Sequence, residues 1–124
     1  MKIIETNKAP AAIGPYVQAR LAGGMLYTSG QIGLDPATGT FAGEDVAAQT
    51  HQALANLKAI LDEAGVGKES VIKVTIFLAD MGDFATVNQI YGDFWGTHKP
   101  ARSTVEVARL PLDARIEMEL IALA

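Results

Sequence analysis

Residues 100–124 read PARSTVEVARLPLDARIEMELIALA, and where this stretch lies in the fold governs the placement of every other element. Alternating apolar and polar residues on either side of Leu110-Pro111-Leu112-Asp113 predict two strands joined by a short turn. In the first strand Val105 and Val107 share one face, with Arg102, Thr104 and Glu106 on the other. In the second, Ile116, Met118, Leu120 and Ala122 form an apolar row opposite Glu117 and Glu119. An arginine and a carboxylate are therefore expected to project from paired strands. Arginine can clamp a carboxylate through two parallel hydrogen bonds, and a nearby glutamate can hold or activate a water. An ordinary hairpin with a solvated charged face fits the same alternation.

Working back from Pro100, which is expected to stop the preceding element, a helix begins near Asp83 as N-cap. It carries Phe84, Val87, Ile90, Tyr91, Phe94 and Trp95 as a core-facing stripe. His98 sits at its end, placed to interact with free carbonyls. Before it, Val71 to Ala79 is apolar on both faces apart from Lys73 and Thr75, which predicts a central strand. An earlier helix spans about Val46 to Ala64, between an Asp45 N-cap and a Gly65 stop, and its stripe of Val46, Ala53, Leu54, Leu57, Ile60, Leu61 and Ala64 commits one face to a sheet. His51 in this helix reads as surface or boundary, and two lone histidines make no metal site.

Nearer the start, Asp35 to Gly39 is a surface turn, and Val17 to Leu21 with Met25 to Gly33 reads as a hairpin around Gly23-Gly24. Gly30 lies inside its second strand, where glycine marks a bulge, a close approach to the backbone, or a simple bend. Residues 1–5 suit a short edge strand, and APAAIGPY (9–16) a loop. Tyr16 at its end either swings a phenol over a cavity or is an amphipathic residue at a strand start. The element order predicts an α+β fold, a single mixed β-sheet with two helices packed on one face. The other face then needs cover, which a partner subunit would supply.

With 124 residues the chain fits one domain, 1–124, able to bury roughly two-thirds of its unfolded surface without a disulfide or metal staple. It has no Cys, which removes thiolate nucleophiles, disulfides and Cys-ligated metals together. Hydrophobic residues make up 49%, apolar for a small domain, which again points to surface buried between subunits. A net charge of −4 and singly scattered Lys and Arg argue against a nucleic-acid partner. MKIIETNKAPAA lacks a signal-peptide core and no stretch approaches a membrane span, so a cytoplasmic protein with no membrane association is expected.

PARSTVEVARLP followed by IEMELIA, together with APAAIGPY, TSGQIG (28–33) and DFATVN (83–88), resembles the reactive intermediate deaminase family (RidA, the YjgF-type proteins). The resemblance runs in order along nearly the whole chain. It implies a chorismate-mutase-like subunit assembled as a homotrimer with clefts between subunits. It also implies cofactor-independent hydrolysis of reactive 2-imino (enamine) acids, such as 2-aminoacrylate (2-iminopropanoate), to 2-keto acids and ammonia. Carried over by motif, the carboxylate clamp falls on Arg102 and the water-orienting acid on Glu117. Tyr16, Ser29, Gly30 and Asn88 line the cleft. Thr104 stands where many relatives carry Cys, which excludes a thiol role and leaves its hydroxyl or backbone to contribute. Some relatives are labelled endoribonucleases or translation inhibitors, a role that the acidic balance and scarce aromatics oppose. A non-catalytic trimeric module binding a small carboxylate metabolite is the other reading. The presence of both Arg102 and Glu117 favours the enzyme, since a sensor needs the clamp but not the acid.

Overall fold

The computed structural model describes residues 1–124. Along the chain come β1 (Lys2–Ile4), β2 (Ala19–Ala22), β3 (Met25–Thr28), β4 (Gln31–Ile32), α1 (Val46–Ala64), β5 (Val71–Leu78), α2 (Phe84–Trp95), β6 (Ala101–Glu106) and β7 (Ile116–Leu123). They form one mixed sheet in the order β1-β2-β3-β7-β5-β6, with β4 pairing β7 beyond the end of β3. The α+β architecture with two helices is as the sequence predicts.

The hairpin expected of residues 100–124 does not form. β5 lies between its two strands, pairing parallel with β6 (Val74 opposite Arg102) and antiparallel with β7 (Phe77 opposite Glu117). A parallel pair needs a crossover, and α2 supplies it. Residues between β6 and β7 instead cap the far end of β5: the Val107 amide donates to the Leu78 carbonyl and the Ala79 amide to the Arg115 carbonyl. Within that connection Pro111–Asp113 is a 3-10 turn, and Leu112 and Asp113 both adopt φ 56°, the left-handed region.

The β2–β3 hairpin turns at Gly23 and Gly24, with φ of 57° and 76°. Two successive positive φ values suit a tight hairpin turn, which is why glycine fills both places. The strand expected to continue to Gly33 is instead broken at Ser29-Gly30 into β3 and β4.

α1 has the expected bounds. Asp45 Oδ1 accepts the Ala48 amide at 2.7 Å, a cap worth about 1 kcal/mol, and Gly65 ends the helix at φ 71°. For α2 three expectations are corrected. Asp83 makes no cap bond; Asp80 accepts the Gly82 amide and opens a 3-10 turn that runs straight into the helix. Gly96, at φ 69°, ends α2 ahead of Pro100. His98 Nε2 bonds the Val71 carbonyl of β5 at 2.8 Å, while Lys68 and Lys99 take the helix carbonyls of Phe94 and Gly92.

The core lies between the helices and one sheet face. Leu57, Ile60 and Leu61 of α1 and Val87 of α2 meet Val74, Ile76, Leu78, Met118 and Leu120, all essentially inaccessible. Each fully buried aliphatic side chain contributes about 1.5–3 kcal/mol. Two buried amides tie α1 to the sheet where the polar residues cluster. Asn56 Nδ2 donates to the carbonyls of Ile32 and Leu34, and Gln49 Oε1 accepts the Arg115 amide at the start of β7. The opposite sheet face has no helix over it and leaves Ile3, Tyr27, Val105 and Leu123 exposed.

Candidate active site

Strand register divides the predicted residues between the two faces of the sheet. Residues opposite one another on neighbouring strands share a face. Arg102 and Thr104 are opposite Val74 and Ile76, whose side chains point into the helix layer. Glu117 is opposite Phe77 and Ile32 and faces away from the helices. Two strand spacings and three residues separate them, roughly 14 Å between backbones before the side chains diverge.

On the open side, Tyr16, Ser29, Gly30 and Glu117 line one cavity of about 420 Å³. Its remaining wall is largely apolar, from Ile13, Ile32, Leu34 and Leu112. The break at Ser29-Gly30 builds its floor. Ser29 donates its hydroxyl to the Val17 carbonyl at 2.6 Å and its amide to the Gln18 carbonyl, while Thr28 Oγ1 accepts the Leu120 amide. Glycine at position 30 lets the Glu117 carboxylate lie against the backbone, since a Cβ there would stand 2.5 Å from Glu117 Oε2. The loop that carries Tyr16 is braced by buried Gln18, which bonds the Thr6 amide and the Thr6 and Pro10 carbonyls. Glu117 is half-buried, with no cation paired to it, and burial raises its pKa above the usual carboxylate value; the nearby charge of Glu119 pushes it the same way. It can therefore hold a water and accept and return a proton.

On the helix side, Arg102 Nη1 donates to Asn88 Oδ1 at 2.7 Å. Its guanidinium carbon lies 5.0 Å from the Tyr91 ring centre and 5.4 Å from that of Phe84. The ion pairs of the structure are Lys58–Asp62 and Arg109–Asp113, so no carboxylate pairs with Arg102. Two residues further along the same face, Thr104 Oγ1 is buried with no hydrogen-bond partner. One side of the sheet thus offers an acid in a cavity and the other an unpaired cation. No three His, Asp or Glu side chains gather as a metal ion would require. No helix is long and apolar enough to cross a membrane.

Phe84 and Tyr91, read from sequence only as core, are Arg102's platform; their spacing from Asn88 along one helix face was the available signal. The bracing roles of Gln18, Gln49 and Asn56 had no signal short of the folded chain.

Residues 6–124 match the protein family described as endoribonuclease L-PSP. A RutC family protein of Synechocystis is 56% identical over 98% of this chain and 95% of its own length. A protein of Salmonella typhimurium named 2-iminobutanoate/2-iminopropanoate deaminase is 55% identical over 98% of this chain and 96% of its own. The crystal structure of E. coli TdcF with bound serine superposes with a TM-score of 0.96 at 48% identity, covering 100% of this chain and 99% of that one. A match over 119 of 124 positions in the family pattern, with relatives above half identity end to end, has one meaning: the chain belongs to the endoribonuclease L-PSP family, the group that holds the RutC and RidA proteins.

Proposed function

We propose that this chain is a 2-iminobutanoate/2-iminopropanoate deaminase, hydrolysing reactive 2-imino acids to 2-keto acids and ammonia without a cofactor. The observation that carries the reading is Glu117: a half-buried carboxyl with a raised pKa, set beside Gly30, Ser29 and Tyr16 in a cavity of about 420 Å³. The name borne by the Salmonella relative at 55% identity supports it.

An iminium carbon is already electrophilic, so the task is to position water and hold the substrate's carboxylate. Water bound to Glu117 attacks that carbon and gives up a proton to the carboxylate, leaving a tetrahedral carbinolamine. Glu117 then returns that proton to the amino nitrogen, the C–N bond breaks to release ammonia, and the carbinol oxygen becomes the keto oxygen as its own proton passes to Glu117 and leaves with the ammonia as ammonium. Arg102 holds the substrate carboxylate by two parallel hydrogen bonds.

Because Arg102 and Glu117 face opposite sides of one sheet, the clamp and the acid at one site come from different copies of the chain. A homotrimer with sites between subunits satisfies this and covers the exposed sheet face carrying Tyr27, Val105 and Leu123. Light scattering after size exclusion should give about three subunit masses; a stable monomer at micromolar concentration would remove the site. A net charge of −4 and the lack of a basic groove disfavour RNA as the substrate, whatever the family's description.

The deciding experiment supplies 2-aminoacrylate from a pyridoxal-phosphate dehydratase acting on serine and traps it with semicarbazide. The chain should shorten the life of the trapped species and speed pyruvate release. An unchanged trapping yield at micromolar protein would exclude the activity.

A further inference from the structure

We propose that α2 is the positioning device for Arg102. In this view Phe84, Asn88 and Tyr91 hold the guanidinium so that the edge not engaged by Asn88 stays open for a substrate carboxylate. The proposal rests on the clamp role given to Arg102 above and changes the role of Asn88, which then acts through Arg102 rather than on the substrate.

The three residues lie at i, i+4 and i+7 of one helix, and so form a single strip along its face. Arg102 stands across from that strip on β6, and its guanidinium meets two ring faces and one amide oxygen there. Arginine is a planar fork with five donors, and a bidentate grip on a carboxylate uses two of them on one edge. Asn88 occupies a donor of Nη1, and that is the one hydrogen bond the Arg102 side chain makes. The chemistry of the residue at position 88 matters. A neutral amide orients the fork without neutralising it, whereas a carboxylate at 2.7 Å would be a competitor tethered in place. The rings of Tyr91 and Phe84 add attraction to a cation on their faces. Tyr91 itself does not ionise in the working range: burial raises its phenol to about 12, with Arg102 opposing that rise. The guanidinium therefore keeps its only full charge unmatched until a ligand arrives.

The device is tested with Asn88→Asp, Tyr91→Leu and Tyr91→Phe, each followed by steady-state imine hydrolysis and by calorimetric binding of 2-oxobutanoate as the probe. Asn88→Asp should raise KM and weaken probe binding by about ten- to a hundredfold, with kcat within a few-fold and Tm unchanged or higher, because a competing ion pair costs binding and not folding. Tyr91→Leu should also weaken probe binding, and Tyr91→Phe, which keeps the ring, should restore it. A purely structural role would lower Tm and leave the KM of the surviving enzyme alone. Wild-type probe affinity in both Asn88→Asp and Tyr91→Leu overturns the positioning role while leaving the deaminase reading intact. A wild-type chain that binds the probe but hydrolyses no imine, with binding lost in Asn88→Asp, overturns the deaminase reading and upholds the positioning role.

Discussion

Gly30→Ala isolates the geometry of the proposed acid from the stability of the fold. The backbone at Gly30 is not in the left-handed region, so alanine adds no backbone strain. What it adds is a methyl carbon 2.5 Å from Glu117 Oε2 and 2.7 Å from Cδ, where ordinary contact begins near 3.4 Å. The carboxylate must therefore retreat by roughly 0.9 Å. It sits at the end of a flexible side chain facing a cavity, so it can move without disturbing the core. The fold should keep its stability within about 1 kcal/mol, equivalent to a Tm within roughly 4 °C of wild type. Catalysis should not be spared, since a misplacement near 1 Å costs on the order of a hundredfold. We expect turnover in the trapping assay to fall about ten- to a hundredfold. Gly33→Ala is the contrast: its Cβ would meet Gln49 Cα at 2.6 Å and the Gln49 carbonyl at 2.7 Å, backbone that cannot yield. That variant should lose roughly 1–3 kcal/mol of stability. The double variant Gly30→Ala with Glu117→Gln should be little worse than Glu117→Gln alone, because both act through one carboxylate. Wild-type turnover in Gly30→Ala, or losses that multiply in the double variant, would refute the reasoning.

Arg102→Lys keeps the charge but not the planar fork, and should lose about ten- to a hundredfold in activity while the protein stays folded; near-normal turnover would place the clamp elsewhere. Burial and Glu119 raise the Glu117 pKa in the folded chain, so folding favours the protonated form. That contribution is whole below the unfolded-state pKa and is lost as pH rises through the folded value. Glu117→Gln should then raise Tm more at pH 8 than at pH 4 while cutting turnover roughly 10²–10⁴-fold, and a pH-independent change in Tm would contradict the burial argument. Glu119→Gln is the matched control: a large loss there alone would move the acid two residues along β7. Thr104→Val removes a buried hydroxyl with no partner in the free chain, a group that costs about 1–3 kcal/mol when unsatisfied. Its Tm should rise by a few degrees while KM for the imine rises; an unaltered Tm would mean that the hydroxyl is already satisfied.

Much of the fold was legible because local chemistry decided it. Asp45 and Gly65 bound α1 as a capping oxygen and a left-handed stop must, and Gly23-Gly24 made the turn that two positive φ values require. Strand partnership was not local. The alternation in 101–106 and 116–123 fits either a hairpin or two strands flanking a third, and period-two patterning carries no information on which. The clue lay in residues 71–78, apolar enough on both faces to sit between them. The same error hid the separation of Arg102 from Glu117. A hairpin would have put Arg102 and Glu117 on adjoining strands; the observed order puts them on opposite faces. Of the bulge, close approach or simple bend that a glycine at position 30 allows, the structure has the close approach, made by the side chain of Glu117. His98 was misassigned because its partner, the Val71 carbonyl, is 27 residues away and no helix-end rule reaches it.

The position of β7 sets the order in which this molecule can be built. It joins two half-sheets, β1-β2-β3 and β5-β6, that do not touch each other directly, yet it follows every other strand in the chain. The Thr28–Leu120 bond alone closes a span of 92 residues. During synthesis the β5–α2–β6 unit can assemble early, bringing Arg102 and its helix together from a local stretch. The Glu117 cavity cannot, because its floor comes from residues 28–32 and its acid from the last strand. Until that strand arrives, the inner edges of β3 and β5 stand open to any passing strand of another chain. The nascent protein is thus most exposed to misassembly just before Glu117 is delivered.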